Sequence, residues 1–211
     1  MKILVLNSGS SSQKSSLYEI GENLPVDSPA PLWEGKIEWR DEVAHAEVKN
    51  SRGILQKGQV KVSSREKAVE HLLGTLWNGE PRTVTSPAEI DVVGHRVVHG
   101  GPKYAEPVLL TPEVKAGIAK VSAFAPLHNR AELEGMEVIE KLLGVRNAGF
   151  GGSYFDNSGP GRLGDRERVL AAHAGVSSSM VPVKYLCSNE LKAFLSERIA
   201  NCPSRVLRSR R

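Results

Sequence analysis

The chain has 211 residues, of which 40% are hydrophobic and 25% charged; this fits one ordinary domain or two small ones and excludes wholesale disorder. Apolar runs of about four residues, such as Ile3–Leu6, fall far short of the ~20 needed to cross a bilayer. Asn7 interrupts the one N-terminal stretch that a signal peptide could use, so the expected location is cytoplasmic, with no membrane partner.

The first two-thirds reads as regular structure. Ile3–Leu6 is a buried strand running into the polar turn 7–12, and 14–20 is a returning strand. Residues 32–39 and 43–49 alternate as two more strands, divided by Arg40-Asp41-Glu42, so an antiparallel meander opens the chain. Ser63-x-x-Glu66 has the form of a capping box before Val69, Leu72, Leu73 and Leu76 at helical spacing. Residues 90–98 form an apolar, β-branched central strand. Thr111-Pro112-Glu113 opens a second helix, with Thr as cap and Pro at the first position. Asn129 with Glu132 opens a third, whose apolar face is Leu133, Met136, Ile139, Leu142 and Leu143, stopped by Gly144. Strands followed by strands alternating with helices predict an α/β fold with a mixed sheet.

Beyond Gly144 the pattern changes. Glycines crowd the next twenty residues, and only 189–200 keeps a helical face. The net charge of +4 is split at the same place, −2 over residues 1–144 and +6 over 145–211. A basic segment of that kind can serve nucleic acid, but this one has few aromatics and no recognition motif, so nucleic acid is not the expected partner. Cys187 and Cys202 fit neither a disulfide framework nor a four-ligand zinc site. The expected division is a domain over 1–150 and an irregular, poorly ordered basic tail over 151–211.

Three constellations could carry chemistry. In Leu6-Asn7-Ser8-Gly9-Ser10-Ser11-Ser12-Gln13-Lys14 a strand enters a hydroxyl-rich turn whose backbone N–H groups can converge on phosphate oxygens, with Lys14 adding a point charge. Asn7 offers a neutral oxygen suited to a water of hydrated magnesium, a cation that keeps most of its waters. A solvated hairpin loop is the plainer reading, since Ser and Gly abound in turns. The Walker A pattern is absent. In Gly94-His95-Arg96-Val97-Val98-His99-Gly100-Gly101, Gly94, Arg96 and Val98 share a strand face. An arginine there needs an anion: a small carboxylate or phosphate, or an internal carboxylate partner. Val98 supplies a patch for a short alkyl group, while His95 and His99 on the other face read as core histidines. Ala125-Pro126-Leu127-His128-Asn129 reads as a helix entry, or as a turn projecting Leu127 and His128 into a cleft at the strand ends.

Together these segments resemble the acetate kinase family, within the superfamily of acetate and sugar kinases, Hsp70 and actin. The likeness rests on an aliphatic residue followed by N-x-G-S-[ST]-[ST]-x-K at Leu6–Lys14, on the H-R-V-V-H-G-G strand, and on the A-P-L-H-N turn, and it covers residues 1 to about 144. It implies a ribonuclease H-like (actin-like ATPase) domain, and reversible transfer of the γ-phosphoryl of ATP to acetate, giving acetyl phosphate and ADP with Mg²⁺. By motif, Asn7 resembles the magnesium-site residue, and Lys14, with Ser10 and Ser12 of the same loop, the nucleotide-phosphate residues. Arg96 resembles the substrate-binding and catalytic arginine, and Val98 and Leu127 the walls around the acetate methyl. Asp156, in Tyr154-Phe155-Asp156-Asn157-Ser158, stands where the family's F-D-T-A-F-H carries its acid/base aspartate, with only Phe-Asp kept.

The family motifs F-H-G-T-S-H and H-L-G-N-G are missing, and with them the family's second domain; its homodimer is implied as well, without those motifs to support it. A frame change or truncation near 145–157 is the expected cause of the break, and impaired turnover its expected consequence. The alternatives are a propionate or butyrate kinase, or a non-catalytic fragment binding nucleic acid through its basic tail.

Overall fold

The computed structural model describes residues 1–143 apart from 22–28, 41–42, 62, 98–99, 102, 105–107, 109 and 125. Strands β1 (Lys2–Ser8) and β2 (Ser12–Glu19) form a hairpin, followed by β3 (Trp33–Arg40), β4 (Val43–Asn50) and β5 (Leu55–Lys61). Helix α1 (Arg65–Gly74) and a 3₁₀ turn (Pro87–Glu89) lead back across the sheet to β6 (Val92–His95), and α2 (Pro112–Lys120) and α3 (Pro126–Leu143) follow. The sheet order is β5-β4-β3-β2-β1-β6, antiparallel throughout except for β6, which runs parallel to β1. The mixed sheet with helices is as expected from the sequence.

Alternation decides which side chains meet the helices. Leu4, Leu6, Leu17, Trp33, Ile37, Ala44, Val48 and Val93 project from one sheet face onto Ala68, Val69, Leu72 and Leu73 of α1 and Val138 and Ile139 of α3. Each such Leu, Ile or Val side chain, fully withdrawn from water, contributes about 1.5–3 kcal/mol. The Trp33 ring lies across Gly35, where a Cβ would collide with Cη2, and its Nε1 donates to Thr75 Oγ1 at 3.2 Å. A second cluster, Val97, Tyr104, Leu110, Val114, Ile118 and Met136, joins α2 to α3. Lys115 and Glu140 tie the same two helices at 2.6 Å.

Four local expectations are corrected. The cap of α1 is Ser64, whose hydroxyl accepts from Lys67 N at 3.2 Å, rather than Ser63. The central strand is only Val92–His95, because Ile90 closes the 3₁₀ turn. Helix α3 starts at Pro126, so Asn129 lies inside its first turns, fully buried, with Nδ2 donating to Ile118 O at 3.5 Å. Strand β5 was not anticipated: its residues are almost all exposed and give no burial rhythm, and its pairing with β4 is what defines it. The tail over 151–211, with Asp156, Cys187 and Cys202, lies outside the described residues.

Candidate active site

The β1–β2 hairpin sets Asn7 directly opposite Lys14. On the other side of β1, Val5 pairs with Gly94 and Leu6 with His95, and Arg96 N donates to Leu6 O at 3.0 Å, continuing the ladder one step past β6. Residues opposite one another share a face, so Lys14, Asn7 and Arg96 sit on the same side of three neighbouring strands. Two strand spacings, about 10 Å, separate the backbones of Lys14 and Arg96. All three side chains are half-buried beside the buried Val5 and Gly94. Among the described residues none forms a side-chain hydrogen bond or ion pair with these three, so the internal carboxylate partner considered for Arg96 is not found there.

The loop between the strands is held from below. Gly9 N donates to Ser12 O at 2.8 Å and Trp39 N to Ser11 O at 3.0 Å. Arg65, at the start of α1, donates through Nη1 to Ser10 O at 3.1 Å and through Nη2 to Gly9 O, and its guanidinium stacks 4.0 Å from the Trp39 ring centroid. Ser10 and Ser11 are exposed and Ser12 half-buried.

The reverse face is polar but closed. Ser8, Gln13, Ser15 and His95 are all buried there. Ser8 Oγ donates to Gln13 Oε1 at 3.1 Å, and Gln13 Nε2 to Ser15 Oγ at 3.4 Å. Burial, with a smaller push from the Lys115 charge, lowers the His95 imidazole to about 3, so it is neutral at neutral pH. Its Nε2 has no hydrogen-bond partner among the described residues. This is the core histidine expected from the sequence; His99 and Val98 lie outside the described residues.

Leu127 and His128 occupy the first turn of α3, with Leu127 68% exposed. A groove of about 540 Å³ beside them is lined by Ser122, Ala123, Pro126, Arg130, Leu133, Glu134 and Glu137 and takes in none of Asn7, Lys14 or Arg96. It belongs to the α2–α3 connection.

The donor set limits the metal chemistry. No group of three or more His, Cys, Asp or Glu side chains that could hold an ion occurs among the described residues. An amide oxygen at Asn7 beside serine hydroxyls suits a hydrated Mg²⁺ that arrives on nucleotide phosphates, not an ion chelated by protein carboxylates. No helix among the described residues is long and apolar enough to cross a membrane.

This sheet and its helices have the fold of the actin-like ATPases. The 211-residue chain overlays the crystal structure of Porphyromonas gingivalis acetate kinase with a TM-score of 0.64 at 31% identity, over 79% of this chain and 43% of that one. A propionate kinase from Francisella tularensis gives a TM-score of 0.56 at 27% identity, over 72% of this chain and 36% of that one. The model of the acetokinase family matches residues 2–157, and the chain belongs to that family. An acetate kinase from Cyanothece sp. is 53% identical over 146 residues, and one from Nostoc sp. 52% over 147 residues, each match covering 68% of this chain. The chain spans only 36% of the length of those relatives. The family match reaches past Asp156.

Arg65 and its Trp39 stack were not anticipated. The available signal was an arginine in the first turn of a helix, where the helix dipole disfavours a cation and some other contact must hold it.

Proposed function

We propose that residues 1–150 are the nucleotide- and carboxylate-binding part of an acetate kinase-type phosphotransferase, and that 151–211 are a separate tail, whose first residues, through 157, still fall within the family match. The observation that carries this reading is the register that lines up Lys14, Asn7 and Arg96 on one sheet face beside the serine loop. In this reading Lys14 and the loop at Ser10 and Ser12 hold the phosphates of ATP. Arg96 fixes the acetate carboxylate through its planar fork. Val98 and Leu127 wall the methyl group, Asn7 faces the metal's hydration shell, and Asp156 supplies the acid/base carboxylate. A carboxylate oxygen attacks the γ-phosphorus, the bond to the bridging oxygen of ADP breaks, and acetyl phosphate and ADP leave; the reverse transfer uses the same groups. Bound magnesium neutralises phosphate charge. The protein's own share is alignment of two anions that otherwise repel, which is most of what phosphoryl transfer asks of an enzyme.

The chain spans 36% of the relatives' length, and we propose that these 211 residues by themselves turn over slowly, because phosphoryl transfer needs the nucleotide enclosed on all sides. We further propose a cytoplasmic location and, for the tail, an origin in a shifted frame; the nucleotide sequence downstream of codon 144 decides the latter, since F-H-G-T-S-H should reappear in another frame. The likeness to a propionate kinase supports a second reading in which propionate or butyrate is the acceptor. Trapping acyl phosphate with hydroxylamine, using acetate, propionate and butyrate in parallel with MgATP, tests both. Acetyl hydroxamate above the others supports the first reading, a longer acyl product supports the second, and the absence of both product and nucleotide binding refutes each.

A further inference from the structure

Four successive carbonyls of the serine loop are engaged by the protein: Gly9 O and Ser10 O by Arg65, Ser11 O by Trp39 N, and Ser12 O by Gly9 N. In a planar trans peptide the N–H of one residue points opposite to the preceding carbonyl. Drawing the carbonyls of Gly9 and Ser10 toward Arg65 therefore turns the N–H groups of Ser10 and Ser11 away from it, and among the described residues neither has an acceptor.

Arg65 is built for this task. It is half-buried, its guanidinium lies against the Trp39 ring, and two of its arms reach adjacent carbonyls. A lysine could offer neither the planar stack nor the paired donors. Helix α1 gains nothing from a cation at its first residue, where the dipole is unfavourable. Trp39 acts twice, holding Ser11 O through its backbone and Arg65 through its ring.

We propose that Arg65 is a positioning residue that clamps the loop from behind and aims the Ser10 and Ser11 amides at the nucleotide phosphates. The inference rests on the loop's proposed role in phosphate binding.

The test uses the ¹⁵N-labelled 211-residue chain, titrated with MgATP while the Ser10 and Ser11 amide signals are followed, in parent, Arg65→Ala and Arg65→Lys forms. The parent should bind with shifts at both amides, and both variants should bind about tenfold more weakly or worse. Loss in the lysine variant separates the two-armed clamp from simple positive charge, and an unchanged dispersion of signals from core residues such as Leu72 separates it from general unfolding. If the parent binds and Arg65→Ala binds within about twofold of it, the clamp is refuted while the phosphate loop stands. Should the alanine variant fail to fold, Arg65→Lys decides alone, and parent-like binding by it refutes the clamp. If the parent itself shows no shifts, the phosphate-binding reading falls and the clamp with it.

Discussion

Gly135 of α3 and Ser8 at the end of β1 lie so close that a Cβ on residue 135 would stand 2.7 Å from Ser8 Oγ. That contact seats the helix on the strand end from which the serine loop departs. Ser8 is buried and its hydroxyl is committed to Gln13, so it cannot turn aside without breaking that bond.

In an open helix, replacing glycine by alanine stabilises by up to about 1 kcal/mol. Here the sign should reverse. Gly135→Ala forces either the helix or the hydroxyl to move and should destabilise by about 1–3 kcal/mol. Urea denaturation of the parent and variant chains measures it; a stability gain would mean that the contact yields without strain.

Lys14 and Arg96 stand at opposite ends of the aligned row and should fail differently. Lys14→Ala should weaken MgATP binding about tenfold, with little effect on a bound carboxylate. Arg96→Ala should leave nucleotide binding nearly intact and abolish acyl hydroxamate formation. Calorimetric titration with MgATP, alongside the hydroxylamine assay, separates the two. Equal loss of both properties in both variants would argue against the division of labour.

His95 gives the chain a specific acid sensitivity. Its imidazole is held at about 3 in the fold, against 6.5 for the ordinary group, so between those values the unfolded chain binds the extra proton. Its contribution is complete above pH 6.5 and is lost as the pH falls toward 3. Between pH 6.5 and 4.5 the loss should be about 2–3 kcal/mol, and His95→Met should remove most of it. Denaturant midpoints across that window provide the measurement. Below it Glu89 enters: hydrogen bonds from Lys2 and Thr85 hold its carboxyl at about 2, well under the ordinary 4.5, so its share is also lost on acidification. A parallel acid limb in parent and variant would exclude His95 as the cause.

Strand β1 was legible as the apolar run Ile3–Leu6, which is buried throughout, and β2 to β4 because inward residues such as Leu17, Trp33 and Ile37 alternate with outward ones. Helices α1 and α2 were legible from Val69, Leu72 and Leu73 and from the Thr111-Pro112 start. The entry to α3 was misplaced because Asn129 has the chemistry of a cap, whereas here it is a buried polar residue held against α2. Asn7, Lys14 and Arg96 were singled out by residue type, but their alignment required the parallel β1–β6 register, which no local pattern encodes. Arg65 was invisible for a related reason: its partners Gly9 and Ser10 are 56 and 55 positions away in the chain.

Strand β5, which gave no burial rhythm to read, has a consequence for behaviour in concentrated solution. It forms the outer flank of the sheet, with Lys57 and Lys61 spaced along a run that buries almost nothing. An incoming chain seeking to extend the ladder there would meet ammonium groups and a flexible Gly58 instead of an apolar strip. The same lack of packing that hides the strand from a reader of the sequence makes that flank a poor template for fibrils.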